Sequence, residues 1–451
     1  MNFPKPSKTL LQLLGPSIVF VALSLNGGEM LLWPDLVSRY SLAILWPVPL
    51  ILFLQFAVNL EIERYSVVTG KNTLSSMITK NTWLSPLFIF GIIISLVWPA
   101  WISVSGNILA YLLGFPSYGA WFAIGLLILQ VFIWQSKASY RILENIAKVG
   151  LVIILIIGIY TIVRLSGEIG NIKLNLGGIW PANSDKITFL SALAFGGVAG
   201  VLNLVQSDWV ANKGYGINQR LVNDRSNAEG DKIELLAIPN QESEKTDRNE
   251  TLISEINWNK ESVQNFKDWW TLIWQEHFVL FVVGNLIGIF LISVVGSILL
   301  PGSGRSGFGI LTFEVDKLNS LFPFAGNIWG IAIFILFFMA QMTILDATGR
   351  LLKNTQNSFV SKFKSERLSQ FSALLGLIIL LFTAIIPGFN QPSGLLQISA
   401  SASALIMALY PLLLLQLNLT LPKETRPKLF NILAVWSCVI FYGIMFVLAF
   451  I

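Results

Sequence analysis

A carboxylate, a carboxamide and two adjacent glycines interrupt an otherwise apolar segment near the start of the chain. The run reads Leu25-Asn26-Gly27-Gly28-Glu29, within a stretch long enough to cross a membrane. An ionisable side chain at membrane depth costs several kcal/mol, so Glu29 is a candidate for binding a substrate or a coupling ion. The alternative is structural, because the dipole of a helix stabilises a carboxylate in its first turn.

A second pair of glycines interrupts a later apolar segment, SALAFGGVAGVLNLVQSDW. Gly196, Gly197 and Gly200 precede Asn203 there. Broken backbone at membrane depth is tolerated only inside protein or beside a cavity, and paired Gly-interrupted spans in two halves of a chain indicate a midplane binding site. Close packing of small residues between helices is the structural alternative. The predicted substrate or metal site comprises Leu25, Asn26, Gly27, Gly28, Glu29, Gly197, Gly200 and Asn203.

The elements that must position these residues are membrane helices. Of the 451 residues, 54% are hydrophobic and 12% are charged, whereas a soluble domain has about 25% charged residues. Apolar stretches long enough to cross the roughly 30 Å hydrocarbon core recur along the whole chain. Eleven spans are predicted, at 15–37, 43–65, 85–114, 119–136, 146–165, 187–210, 272–299, 324–348, 370–387, 393–417 and 429–450.

The two breaks fall in the first and sixth spans, which is the spacing of two inverted five-helix repeats that each begin with a broken helix. We therefore predict an all-α polytopic membrane protein with a single transporter domain, 1–451. Its repeats are 15–165 and 187–417, and 429–450 is an additional C-terminal helix. The polar, mixed-charge insertion 213–268 is predicted to be a cytoplasmic and partly disordered connector.

Lys and Arg are concentrated in the loops on one side of the predicted membrane. The positive-inside rule then places the N-terminus in the cytoplasm and the C-terminus outside, in the inner cell membrane. The net charge of +5 follows from these loops and does not indicate nucleic-acid binding. No phosphate-binding Gly-x-x-x-x-Gly-Lys-Ser/Thr motif or catalytic constellation is found, so neither an enzyme nor a primary pump is expected. The expected partners are lipid and a small ion or solute, with no cofactor.

Four motifs resemble those of the Nramp family of divalent-metal transporters. GPSIVFVALSLNGGEMLLWPDLVSRYS is similar to the family's first helix, and VNLEIERYSVVTGKN to the end of its second. YLLGFP is similar to the end of the third helix, and NLVQS to the inner half of the sixth. The resemblance covers everything except the polar insertion. It implies the LeuT fold of the amino acid–polyamine–organocation superfamily and metal transport by alternating access.

The chain departs from the family at the residues that bind metal. The family's Asp-Pro-Gly-Asn motif is replaced by Asn-Gly-Gly-Glu at 26–29, and its Met-Pro-His-Asn motif by Gly-Val-Leu-Asn at 200–203. The remaining oxygen ligands favour Mg²⁺, Ca²⁺ or Na⁺ over Fe²⁺ or Zn²⁺. Family members move protons through ionisable residues of the third and ninth helices, and 85–114 and 370–387 contain no Asp, Glu, Lys, Arg or His. Proton coupling by the family's route is therefore not predicted.

The LeuT fold also implies a coupling-ion site, because its sodium-dependent members bind the ion between the first and eighth helices. Gln341, Thr343 and Asp346 in the eighth span are the candidates, and a local pair of Asp346 with Arg350 is the alternative. The only histidine, His277, is interpreted as an interfacial side chain. Gate or network residues are predicted at Glu61, Glu63, Arg64 and Asp208.

These features together predict a secondary transporter that moves a cation, with Mg²⁺ favoured over Mn²⁺ or Fe²⁺. The first alternative is a Na⁺-coupled transporter of a small organic solute or anion, because two half-helix N-termini would present positive dipole ends at the midplane. The second alternative is a sensor or scaffold that does not transport and acts through 213–268.

Overall fold

The computed structural model describes residues 1–7, 29–135, 139–169, 179–182, 185–197, 200–220, 256–300, 305–355, 363–386 and 392–450. Every regular element within these ranges is helical, as predicted. The helices are α1 (Glu29–Tyr40), α2 (Val48–Thr69), α3 (Thr73–Lys80), α4 (Ser85–Leu96), α5 (Ala100–Leu112), α6 (Gly119–Gln135), α7 (Ser139–Arg164), α8 (Lys186–Phe195), α9 (Gln206–Lys213), α10 (Lys260–His277), α11 (Asn285–Leu299), α12 (Gly309–Leu321), α13 (Ala325–Asn354), α14 (Ser365–Ile385), α15 (Pro392–Asn418) and α16 (Leu429–Phe450).

Shorter helical segments connect these elements. They are Leu42–Leu45, Thr82–Leu84, Pro116–Tyr118, the single turn Ser166–Ile169, Gly200–Val205 and Lys423–Thr425, with a π-helical segment at Phe278–Gly284. Nine helical stretches in the described part of the chain are long and apolar enough to cross a membrane, and they coincide with nine predicted spans. Of the other two predicted spans, 146–165 coincides with α7 as far as Arg164, and 15–37 is described only from Glu29 onwards.

The seventh span is longer than predicted. Helix α10 begins at Lys260, whereas the sequence predicts the span from 272 and a polar connector up to 268. Asn259 caps the helix, because its Oδ1 accepts a hydrogen bond from Ser262 N at 2.9 Å. Phe266 and Trp269 lie on one face of α10 and are buried, so the helix forms around an apolar stripe that has a partner in the protein.

That partner includes the first residues of the sequence. Residues 1–7 form a non-helical segment, which we call the N-terminal strap. Phe3 is 1% exposed and stacks on Trp258, with ring centroids 5.4 Å apart. Trp269 Nε1 donates a hydrogen bond to the Pro4 carbonyl at 3.0 Å. The strap is therefore fixed to α10 by both apolar and polar contacts.

The two halves of the sixth span lie at the centre of the bundle. Helix α8 packs against α1, α15 and α16, and α9 packs against α2. The Gly200–Val205 turn between them packs against α13 and α15. Helices α1 and α8 meet beside Asp185, whereas α9 and α13 meet beside Asp208. We call these opposite ends of the bundle the Asp185 end and the Asp208 end.

Candidate functional site

The sixth span is broken at the glycines identified in the sequence. Helix α8 ends at Phe195, and the chain then turns through Gly197 with φ +138° and Gly200 with φ +33°. A Cβ atom on Gly197 would lie 2.5 Å from Gln55 Oε1, and one on Gly200 would lie 2.5 Å from the Ser403 carbonyl oxygen. Backbone angle and close approach therefore both require glycine here. The break places backbone polar groups within the protein at membrane depth.

Glu29 lies directly beside this break. It is the first residue of α1 and is 1% exposed. Gly197 N donates a hydrogen bond to Glu29 Oε1 at 3.3 Å, so two residues predicted from separate spans come together. The first turn of α1 also stabilises the carboxylate through its dipole. The other predicted residues of the first break, at 25–28, lie outside the described residues.

One face of α2 follows the broken span along its length. Gln55 approaches Gly197, and Ser66 Oγ donates a hydrogen bond to the Ser207 carbonyl at 3.1 Å. Asn59 lies between these two contacts, four residues after the first and seven before the second, and so occupies the same face of the helix. Helix α2 also packs against the Gly200–Val205 turn.

Several carboxamides and one hydroxyl in this region have polar atoms without a hydrogen-bond partner among the described residues. All of these side chains are 2% exposed or less. A buried polar group without a partner costs about 1–3 kcal/mol, so such a cluster requires an ion, water or a polar substrate. The atoms are both polar atoms of Asn59, both of Gln206, Asn203 Oδ1, Gln55 Oε1 and Ser403 Oγ.

A thioether also lies against the turn, contributed by α15. Met407 Sδ is 3.9 Å from Asn203 Nδ2 and accepts a hydrogen bond from Tyr410 Oη at 3.1 Å. The sequence suggests no soft ligand, because the sixth span has lost its methionine. Gln55, Asn59 and Met407 were all missed by the sequence analysis. The sequence does contain a signal for Gln55 and Asn59. They are two carboxamides four residues apart in an apolar span, and this spacing puts them on one face of a helix.

The coupling-ion candidates all lie on α13. Gln341 Oε1 accepts from Ile102 N at 3.3 Å, in the first turn of α5. Thr343 Oγ1 donates to the Met339 carbonyl one turn earlier, at 3.1 Å. Asp346 Oδ2 lies 2.7 Å from the Nε atom of Arg350, which is the local pair named as the alternative in the sequence. All three side chains thus have protein partners in this structure.

Asp208 connects three elements at its end of the bundle. Its Oδ1 accepts from Asn72 Nδ2 at 2.8 Å, and its Oδ2 accepts from Asn354 Nδ2 at 3.0 Å. Asn72 also caps α3, since its Oδ1 accepts from Ser75 N. Asp208 therefore joins the second half of the broken span to α3 and α13.

Glu61 and Arg64 form a buried ion pair on α2, with Nε and Oε2 2.9 Å apart. Glu63 lies on a different face, where its Oε1 is 3.6 Å from His277 Nδ1. His277 is 8% exposed, because Phe56 and Phe281 stack on its imidazole from α2 and the π-helical segment. Its position at the membrane interface stays a prediction.

The Asp185 end has its own polar contacts between α1 and α8. Arg39 forms ion pairs with Asp35, at 3.0 Å, and with Asp185. Tyr40 Oη donates a hydrogen bond to Asp185 Oδ2 at 2.6 Å. Helices α1 and α8, which belong to the two predicted repeats, are therefore joined at this end.

Among the described residues, no group of three or more His, Cys, Asp or Glu side chains is arranged to hold a metal ion. A cation at the break would therefore be bound by Glu29, by carboxamide oxygens and by backbone carbonyls. Such ligands suit hard cations, and a sulfur such as that of Met407 would extend the range to softer metals.

No family model matches the sequence, and no curated protein matches it either. Solved structures do. A manganese transporter from Eremococcus coleocola matches with a TM-score of 0.65 and 11% identity, over 100% of this chain and 88% of that one. MhsT in complex with L-phenylalanine matches with a TM-score of 0.52 and 12% identity, over 99% of this chain and 98% of that one.

Mhp1, a nucleobase-cation-symport-1 family transporter, also matches with a TM-score of 0.52 and 14% identity, over 97% of this chain and 89% of that one. At such low identities the likeness shows the fold. It agrees with the broken sixth span. The chain is an integral membrane protein with the LeuT fold, the fold implied by its resemblance to the Nramp family.

Proposed function

We propose that the chain is a secondary transporter that moves a divalent cation across the membrane by alternating access. The observation that carries the proposal is the contact of Glu29 with Gly197 N, because it joins a buried carboxylate to the break of the sixth span. The likeness to a manganese transporter supports a metal substrate. The proposed substrate site comprises Glu29, Asn203 and the carboxamides of α2.

The site chemistry favours a divalent metal over a larger cation. One carboxylate and several amide oxygens are ligands typical of Mg²⁺ and Ca²⁺. Mg²⁺ remains our first choice on these ligands, and Met407 beside Asn203 makes Mn²⁺ the second. Met407→Leu nearly conserves volume and should selectively reduce Mn²⁺ uptake if the sulfur contacts the metal.

Alternating access requires that each end of the bundle open in turn. With the N-terminus in the cytoplasm, the Asp185 end faces outside and the Asp208 end faces the cytoplasm. We propose that the contacts of Asp185 with Arg39 and Tyr40 close the outer side. The contacts of Asp208 with Asn72 and Asn354 would close the inner side.

The test is uptake of Mg²⁺ and Mn²⁺ into proteoliposomes. The wild-type protein should show saturable uptake, and Glu29→Gln should reduce it at least roughly ten-fold, since a neutral amide replaces the charged ligand. Glu424→Gln is the matched control, because Glu424 is an exposed carboxylate far along the chain. Uptake by Glu29→Gln at the wild-type rate would contradict the assignment of Glu29 to the substrate site.

A second candidate function is Na⁺-coupled transport of a small organic solute. The carboxamides favour it, since each has both a donor and an acceptor for a polar solute, and two structures of the same fold are named with organic ligands. Uptake of amino acids or nucleobases driven by a Na⁺ gradient, without metal uptake, would favour this function. Absence of any flux would favour the sensor or scaffold.

A further inference from the structure

Five ionisable side chains meet between α2, the end of α9 and the end of α10, and we call them the His277 cluster. They are Glu63, Lys213, Tyr215, Glu276 and His277. Lys213 Nζ lies 3.6 Å from Glu276 Oε1, and Tyr215 Oη donates to Glu276 Oε2 at 2.8 Å. His277 Nδ1 lies 3.6 Å from Glu63 Oε1. None of the five side chains is more than 15% exposed.

Two carboxylates of the cluster lie close together in a buried site. Glu63 and Glu276 repel each other, and Lys213 offsets part of this repulsion. Carboxylates that share a site disfavour each other's ionisation, so one of them readily binds a proton. Burial and the carboxylate of Glu276 raise the pKa of Tyr215 well above its usual value, so its hydroxyl stays protonated. Glu276 thus has two donors, and Glu63 with His277 is the pair that can accept a proton.

Ionisable groups face this pair from two neighbouring segments of the described chain. The end of α9 and the residues after it contribute Lys213 and Tyr215, and α10 contributes Glu276. On α2, Glu61 and Arg64 bind each other on another face. A proton on the pair would therefore relieve its repulsion with Glu276.

A chain of ring contacts links the pair to the helix break. His277 stacks on Phe281 with ring centroids 5.0 Å apart and an angle of 8°. The tip of the Phe281 ring lies 2.8 Å from where a Cβ atom of Gly197 would be, and Gly197 N donates to Glu29. The π-helical segment begins directly after His277, and such segments within α-helices are frequent at functional sites.

We propose that the Glu63–His277 pair binds one proton, and that binding of the transported cation beside Glu29 releases it. This proposal rests on the proposed function, which places the cation at the break. Two positive charges separated by one aromatic ring in a poorly polarisable interior repel each other, so each weakens the binding of the other. Proton and cation would thus be exchanged rather than bound together.

The test is isothermal titration calorimetry of Mn²⁺ binding to the full chain in lipid nanodiscs, in two buffers of different ionisation enthalpy. About one proton should be released per bound Mn²⁺ between about pH 6 and about pH 8, where histidine-containing pairs titrate. The Kd should be roughly ten-fold weaker at the lower pH. Glu63→Gln should abolish both effects while Mn²⁺ still binds, and Glu424→Gln should preserve both. Proton release that persists in Glu63→Gln overturns the proposal.

A second variant tests how the proton site is coupled to the break. Phe281→Leu keeps both members of the pair and their distance from the break, and repulsion does not need the ring, so about one proton should still be released per bound Mn²⁺. The pH dependence of the thermal unfolding midpoint, measured without cation, should stay as in wild type. If wild type binds neither Mg²⁺ nor Mn²⁺ but Glu63→Gln removes this pH dependence, the proposed function fails and the proton site stands. A pH dependence that Glu63→Gln leaves unchanged overturns the proton site.

Discussion

Glu61 and Glu63 are separated by one residue on α2, and both are buried, yet their surroundings differ. Glu61 accepts hydrogen bonds from Arg64 Nε at 2.9 Å, from Asn418 Nδ2 at 2.8 Å and from Asn431 Nδ2 at 2.8 Å. These donors come from α2, α15 and α16. Charge-assisted bonds of this length are strong, so Glu61 holds three helices together.

Glu63 instead faces His277 across 3.6 Å, which is longer than a good hydrogen bond. A proton can therefore bind to this pair or leave it without breaking a contact that holds helices together. Burial alone therefore does not distinguish a structural carboxylate from a functional one. They differ in how many hydrogen bonds they accept and in how short those bonds are.

Glu61→Gln should have the largest effect on stability, because it leaves the guanidinium of Arg64 buried without a carboxylate. Removing one partner of a buried ion pair costs about 3–5 kcal/mol. The measurement is unfolding of the purified protein in detergent. Glu424→Gln, at an exposed position, should stay within about 0.5 kcal/mol of wild type. Equal stability of the two variants would contradict the structural role of Glu61.

Glu314 of α12 extends the comparison to a buried carboxylate with a single donor, Trp329 Nε1, at 3.1 Å. Burial raises its pKa from 4.5 to about 8, although this hydrogen bond lowers it. Because the folded-state pKa lies above the unfolded one, its stabilisation is complete below about pH 4.5 and is lost as the pH rises through about 8, on the order of 2–4 kcal/mol. In Glu314→Gln, the unfolding midpoint should change less with pH between about pH 4.5 and about pH 8 than it does in wild type. An unchanged slope would assign the titration to another group.

Arg64→Lys tests the other member of the ion pair with Glu61. It keeps the charge but loses the planar group that donates to the Thr425 carbonyl at 2.9 Å and covers the Trp270 ring at 3.8 Å. The expected loss is about 1–2 kcal/mol in unfolding free energy. Combined with Glu61→Gln, the losses should not add, because both substitutions disturb one network. Strictly additive losses would mean that the two side chains act independently.

Glu63→Gln should have the smallest effect on stability, less than about 1 kcal/mol near neutral pH. The substitution removes a charge that faces a second carboxylate, Glu276, so little attraction is lost. The same unfolding experiment measures it beside Glu61→Gln. A loss of unfolding free energy as large as that of Glu61→Gln would show that Glu63 is as important for stability as Glu61.

Much of the fold follows from the sequence, because a membrane helix needs a long apolar run and such runs are visible in one chain. The start of α10 was missed, since its first half is amphipathic and reads as a polar connector. It is helical because Phe266 and Trp269 are buried against the N-terminal strap and neighbouring segments. A tertiary contact across more than 250 residues leaves no local signal.

The sequence likewise predicts some residues of the candidate site and misses others. The glycines at 197 and 200 and the acid at Glu29 are predictable, since each breaks a local rule of membrane helices. Asn59 and Met407 obey those rules or break them only weakly. Their relevance depends on which helix face meets the break, and the packing of the bundle alone determines that. The two rings that cover His277 depend on the same packing.

The N-terminal strap has a consequence for how the protein is made. Phe3 and Pro4 are bound by α10, which follows them by more than 250 positions in the sequence. Translation at about 5–20 residues per second separates the two by tens of seconds. During that interval Phe3 stays accessible to chaperones and modifying enzymes at the ribosome. The strap can therefore be buried only after α10, at the start of the seventh span, has been synthesised.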